Sequence, residues 1–276
     1  SNTPKQIALY EALNWTPPIF AHLPLILNPD RSKMSKRFGD VALKDFRKKG
    51  YLPEAIVNFL VYLGWHPKEK AGEPINEILT LNEIIEQFDF FRIQKGGAVF
   101  NIEKLNWINT EHIKRMPIDE LTSHAMPYLK EKFGDALLND IEFVKKIVEL
   151  HRTRIKTLAE LPEMTSYFFV LPDYDAELLR WQDMSEEEVK NNLDFIYNLL
   201  SDLDNQLFTR QQLEAIILPE AEKRGRGKIL WPLRVALSGQ KNSAGSFEIM
   251  EIIGKNETLK RLATAIKKLK ENQNNA

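Results

Sequence analysis

The 276-residue chain contains no cysteine. No disulfide framework and no thiolate metal site can be built from it. Its five histidines give no metal-ligand spacing, with His66 and His112 in particular lacking a partner at the right distance, so no metal site is expected. No apolar run approaches the roughly 18 residues that a membrane-crossing helix needs, and no membrane partner is expected. The N-terminus lacks the basic-then-apolar order of a signal peptide, and Ser1 and Asn2 read as an expression scar. Repeats and low-complexity tracts are also missing. These absences point to a cytoplasmic protein, expected as a monomer.

What is present is an ordinary globular composition, 43% hydrophobic and 28% charged, long enough for two or three domains. The net charge of −1 conceals segregation. Arg31 to Gly50 holds eight basic residues against two acidic ones, and Lys223 to Arg234 holds five basic residues and no acidic one. Tyr174 to Val189 is acidic instead. A near-neutral chain can still present basic surfaces to a polyanion. Charge alone leaves that reading open beside a second one, solvated helix faces.

The fold expected is mainly α, with a small α/β-like region near the start. Pro17, Pro18, Pro24 and Pro29 rule out a continuous helix from Asn14 to Asp30. His22 to Leu27 reads as extended, and a basic loop follows it. Pro53 and Gly64 bracket a helix with Ile56, Phe59, Leu60 and Leu63 on one face. Thr80 to Glu83, Ser185 to Glu188 and Thr209 to Gln212 have the pattern of capping boxes. Asn101 can cap a helix carrying Leu105, Ile108 and Ile113. Ile141 to Leu161 reads as one long amphipathic stretch, with Val144, Ile147, Val148, Ile155 and Leu158 at helical spacing. Tyr167 to Leu171 is a short buried segment between prolines, and the acidic stretch after Pro172 looks like a domain junction. Gly225 and Gly227 are expected to break the chain. Two more helices are expected around Phe247 to Ile253 and Glu257 to Leu269. Trp65, Trp107, Trp181 and Trp231 are expected in the core.

The sharpest chemical signal is Lys33-Met34-Ser35-Lys36-Arg37, on a loop after an apolar extended run. Mobile ammonium groups beside a small hydroxyl residue can stabilise charge that develops on phosphate oxygens. The pentapeptide resembles the KMSKS loop of class I aminoacyl-tRNA synthetases. Its surroundings narrow the family: Ala21 to Asn28, Arg37 to Asp40, Gly50 to Ala55, Leu63-Gly-Trp65, Gly96 to Phe100 and Lys104 to Asn109 are similar to the glutamyl-tRNA synthetase pattern. The resemblance runs through most of the chain. It implies that Lys36 contacts ATP, a substrate used with Mg2+, and that Lys33 and Ser35 support the same loop. None of His22, His66, His112, His124 and His151 begins a His-x-Gly-His motif. The chain is therefore expected to be a C-terminal part that meets L-glutamate only through an upstream catalytic domain, and to be inactive alone.

The same resemblance implies a loop and stem-contact domain over 1–115, then two helical anticodon-binding domains over 116–173 and 174–276, with tRNA(Glu) as partner. Arg154 lies in Arg-Ile-Lys-Thr-Leu158 and Arg234 in Pro232-Leu-Arg-Val-Ala-Leu-Ser-Gly239, both close to family patterns whose arginines contact anticodon bases. A planar guanidinium can bond two acceptors on a base edge or stack on a splayed base. An arginine at the position of Arg154 is linked in the family to accepting tRNA(Glu) and rejecting tRNA(Gln). Ser243 is a further base-contact candidate. The family commonly has proline after that hydroxyl residue, and Ala244 is expected to leave the loop looser. Arg224, Arg226 and Lys228 are candidates for backbone phosphate. Two other readings compete: a non-catalytic helical RNA-binding or protein-interaction module, and a glutaminyl-tRNA synthetase, whose expected β-barrels the helical signals oppose.

Overall fold

A computed structural model describes residues 2–34, 42–67 and 76–275, with side chains through Glu271. The chain forms two compact units, 1–112 and 113–276. Helices dominate both, and among the described residues none is long and apolar enough to cross a membrane.

In the first unit, α1 (Thr3–Ala12) buries no residue. The proline-rich stretch after it has no regular structure until β1 (Ile26–Leu27), which pairs in parallel with β2 (Ala98–Val99). In front of α2 (Leu43–Lys48), the Asp45 carboxylate accepts the Ala42 N–H at 3.3 Å. Helix α3 (Pro53–Gly64) has the expected ends, but its buried face is Ala55, Asn58 and Phe59, while Leu60 is exposed. The reason is Asn58. Its amide donates to the Glu77 carbonyl (3.2 Å), and its Oδ1 accepts the Leu79 N–H (3.1 Å) and lies 3.0 Å from His112 Nε2. A polar side chain so fully bonded can be buried, and it turns the helix away from its purely apolar stripe.

Helix α4 (Leu81–Gln87) begins at the predicted capping box, with Thr80 and Glu83 bonding each other's backbone N–H. Asn101 caps α5 (Ile102–Arg115) through the N–H groups of Glu103 and Lys104. Leu105, Ile108 and Ile113 are buried along it as expected. Trp65 is buried, but Trp107 is 41% exposed, covered in part by the Lys104 ammonium 4.2 Å from its ring centre.

The second unit contains α6 (Ile118–Phe133), α7 (Ile141–His151), α8 (Leu161–Phe169), α9 (Glu186–Ser201), α10 (Arg210–Arg224), α11 (Arg226–Ser238) and α12 (Ser246–Asn275). Ile141 to Leu161 is not one helix. It turns after His151, and a short 3₁₀ segment (Leu158–Glu160) leads into α8. The Lys156 N–H, which a continuous helix would give to a main-chain carbonyl, instead meets the Glu160 carboxylate at 3.2 Å. Ile155 and Leu158 are still buried, so the apolar pattern persisted through a change of backbone. The Ser185 capping box is complete. Thr209 accepts the Gln212 N–H at 3.4 Å, and no returning Gln212 bond is found among the described residues.

One hydrophobic core runs from Ile147 and Tyr167 through Tyr174, Leu179, Leu193 and Leu233 to Leu269. It continues through the acidic stretch, where Asp175 caps a 3₁₀ turn (Ala176–Leu179). Gly225 does break the chain, at φ +95°, between α10 and α11. Gly227 does not. It lies inside α11, where a Cβ would sit 2.4 Å from Trp181 Nε1, so its role is to let the indole approach. Trp181 packs on Trp231, whose Nε1 donates to the Leu178 carbonyl at 3.0 Å. Helix α12 is broken at Gly254 (φ +76°), between the two helices expected there.

Candidate nucleic-acid interface

Of the predicted loop residues, Lys33 and Met34 are described, and Ser35, Lys36 and Arg37 lie outside the described residues. Lys33 forms an antiparallel bridge with Leu27, and the Met34 N–H donates to the Ile26 carbonyl at 3.1 Å. The turn between them is held by Asp30, whose Oδ1 accepts the Ser32 N–H (2.9 Å) and hydroxyl (2.6 Å). These two bonds favour the carboxylate and lower the Asp30 pKa. The root of the loop is thus a hairpin anchored on β1, with the Lys33 side chain exposed.

In the second unit the turn after α7 separates two arginines by function. Arg152 Nη2 donates to the carbonyls of Ile113, Lys114 and Met116, at 3.0, 2.7 and 2.6 Å, and Nη1 pairs with Glu149. It satisfies the last carbonyls of α5, which a helix end leaves open. Arg154, two residues on, is exposed and makes no side-chain hydrogen bond or ion pair among the described residues. The fold uses Arg152 and leaves Arg154 available. Arg154 nevertheless acts on its surroundings: its charge reinforces the larger effect of burial, which lowers the His151 pKa, and opposes the larger effect of burial at Tyr167, whose pKa is raised.

Tyr167 connects this turn to the next candidates. Its buried Oη accepts the Ala244 N–H at 3.1 Å, which ties the 239–245 loop to α8. Ala244 is 1% exposed. The expectation of a looser loop is therefore corrected: the N–H that a proline would lack ties this residue to the core. Ser243 is half-buried, and its Oγ donates to the Ala244 carbonyl at 3.0 Å.

Arg234 stands one turn before the end of α11, half-buried, with Nε enclosed and without an acceptor. Enclosed donors are nearly always paired, and nothing in the fold explains this one. Buried Arg261 sits nearby in the bonding network. Its Nη1 donates to the carbonyls of Tyr167 and Leu237, both at 2.7 Å, and its Nε pairs with Glu257 at 2.9 Å. The sequence reading passed over Tyr167 as a hydrogen-bonding residue and Arg261 altogether. A signal existed for Arg261: it interrupts the buried stripe of Thr258, Leu262, Ala265 and Leu269.

Arg224, Arg226 and Lys228 cluster at the Gly225 turn, at the opposite end of α11 from this loop, about 18 Å away along the helix axis. All three already have partners. The Arg224 guanidinium lies 3.9 Å from the Phe195 ring centre, Arg226 faces Glu222 at 3.4 Å, and Lys228 faces Glu188 at 3.3 Å. Ion pairs this exposed are weak and exchange readily for a phosphate. A separate cleft bordered by Lys145, Lys146, Arg210, Glu142, Glu149 and Glu251 contains none of the predicted residues.

Comparison with known proteins matches residues 120–266 to the family described as "Anticodon binding domain". The chain belongs to this anticodon-binding-domain family. Residues 1–107 match a second description, the catalytic domain of class I tRNA synthetases (E and Q). That match covers most of the first unit. Curated relatives include a glutamate–tRNA ligase of Clostridium acetobutylicum, 38% identical over 98% of this chain and 54% of the relative. One of Moorella thermoacetica is 40% identical over 99% and 55%. The chain thus spans about half the length of the curated relatives it matches. Among solved structures, a glutamate tRNA ligase from Elizabethkingia meningosepticum, in complex with its amino acid, superposes with a TM-score of 0.77 at 30% identity. That match covers 96% of this chain and 55% of the other.

Proposed function

We propose that this chain is the tRNA-binding half of a glutamate–tRNA ligase and that it reads the anticodon of tRNA(Glu) with Arg154, Arg234 and Ser243. In this reading Arg224, Arg226 and Lys228 hold backbone phosphates. Lys33, Ser35 and Lys36 serve the ATP that the whole enzyme uses with Mg2+ to join L-glutamate to the tRNA. The observation that carries the reading is the contrast between neighbouring arginines in a member of the anticodon-binding family: Arg152 is consumed by backbone carbonyls, and Arg154 is left open. Arg234 supports it with a second guanidinium that the fold does not satisfy. An exposed guanidinium beside a loop suits unstacked bases, whose edges are accessible only in single-stranded RNA.

Binding of tRNA(Glu) and tRNA(Gln) transcripts at several salt concentrations tests this. Arg154→Gln should weaken tRNA(Glu) binding by about tenfold or more and narrow the gap to tRNA(Gln). Lys228→Ala should weaken both transcripts alike and reduce the salt slope by about one. Equal losses on both transcripts from Arg154→Gln would move that residue from base reading to phosphate contact.

A further inference from the structure

We infer that the Tyr167 hydroxyl is a positioning group for the 239–245 loop, holding it in register for RNA through the Ala244 N–H. This rests on the reading that the loop faces the anticodon. The tie spans two distant parts of the chain. Tyr167 is in α8 with no exposed surface, and its Oη accepts the Ala244 N–H at 3.1 Å. The main chain of Tyr167 is held as well, since Arg261 bonds its carbonyl and that of Leu237 together. Leu237 lies in the last turn of α11, where the chain enters the loop. Tyr167 therefore sets both the entry of the loop, through Arg261, and its far side, through Ala244.

The loop is also closely fitted at its two glycines. Gly239 has φ +66°, and a Cβ there would lie 2.7 Å from Pro172 Cγ. At Gly245 a Cβ would lie 2.0 Å from Glu248 Oε2. Between them the hydrogen bond to Tyr167 is what fixes Ala244, and Ser243 precedes it directly. Removing one oxygen at position 167 should free the part of the loop that carries Ser243 while leaving the ring in the core.

The test uses the full chain and four proteins: unsubstituted, Tyr167→Phe, Ala244→Pro, and the double variant. Amide exchange of the loop, affinity for a tRNA(Glu) transcript and thermal midpoint are measured on each. Tyr167→Phe should speed exchange at Ala244 by about tenfold and weaken tRNA binding about threefold to tenfold, the range one neutral hydrogen bond supports. Ala244→Pro removes the same bond from the other side and leaves Tyr167 in place, and because a proline also fixes the backbone it is read by amide exchange at Ser243, where an unchanged rate overturns the proposal even if the Phe variant folds poorly. The losses in affinity should not add in the double variant, because both changes break one interaction.

Additive losses would overturn the proposal. So would unchanged loop exchange, or an affinity loss that only follows the thermal midpoint as it does for a remote core change such as Leu193→Ala. If the unsubstituted chain binds no tRNA, the anticodon reading fails. The exchange data then still decide whether Tyr167 anchors the loop.

Discussion

Residues 2–112 and residues 113–275 use the same kinds of helix but end with different surfaces. In the second unit a hydrophobic core runs from α7 to α12, and among the described residues the unit's large apolar side chains are enclosed apart from a few, such as Leu137 and Val170. In the first unit, among the described residues, Trp15, Ile19, Leu23, Ile85, Phe90 and Phe91 are all exposed, Ile19 and Phe91 almost completely. Its helix α1 buries nothing. One small cluster of its core gathers around Trp65, Leu79 and Ile84. The groups that the second unit leaves available are charged, and they stand at helix ends. One unit offers apolar area and the other offers guanidinium groups.

The largest expected effect that would sharpen this contrast is at Arg261. Replacing it with Met keeps the bulk but leaves the Tyr167 and Leu237 carbonyls without their donor. The second unit should lose about 2–4 kcal/mol, since unpaired buried polar groups are costly. Denaturant unfolding followed through Trp181 and Trp231 would measure it. A loss well under about 1 kcal/mol would mean that this core does not depend on its one deeply buried guanidinium.

A smaller effect concerns acid. Burial pushes the His151 pKa below its ordinary value, with Arg154 adding to the shift and a bond to the Ile147 carbonyl opposing it. The unfolded chain then binds a proton, near pH 6.5, that the folded chain resists. Stability is therefore full above that pH and falls as pH drops toward the folded pKa, with a slope of at most about 1.4 kcal/mol per pH unit. His151→Phe should flatten this part of the stability profile. An unchanged acid slope in that variant would place the pH dependence elsewhere.

The smallest effect is expected in the first unit. Phe91 is 99% exposed, so Phe91→Ser should change unfolding free energy by less than about 0.5 kcal/mol, while raising the concentration at which the chain begins to aggregate. A larger loss of stability would break the comparison, because it would show that this apolar surface is already covered.

Much of the helical plan was legible in the sequence because its signals are local. The Thr80 and Ser185 capping boxes and Asn101 mark helix starts through bonds two or three residues along the chain, and Pro53 and Gly64 bracket a helix through their own backbone preferences. The break after His151 was not legible. Ile155 and Leu158 continue the helical spacing although the chain turns after His151, and beyond the turn a side chain, Glu160, takes the Lys156 N–H. Leu60 shares one apolar face with Ile56, Phe59 and Leu63 by spacing, yet is exposed. An apolar stripe cannot anticipate that Asn58 finds partners at Glu77, Leu79 and His112 and is buried instead. At the candidate site, Arg154 and Arg234 were found through the resemblance of their short motifs. Their surroundings were not.

By itself, then, the sequence determined the helical class, most helix starts, the family resemblance and the residue types available for RNA. Each of these depends on neighbours along the chain. The tertiary structure decided which arginine is spent and which is open, and that the Ala244 N–H, 77 residues from Tyr167, is tied to its hydroxyl. It also decided that Arg261 joins two helix ends. Those outcomes depend on donors and acceptors that meet only after the core has closed, and no spacing along the chain encodes such a meeting.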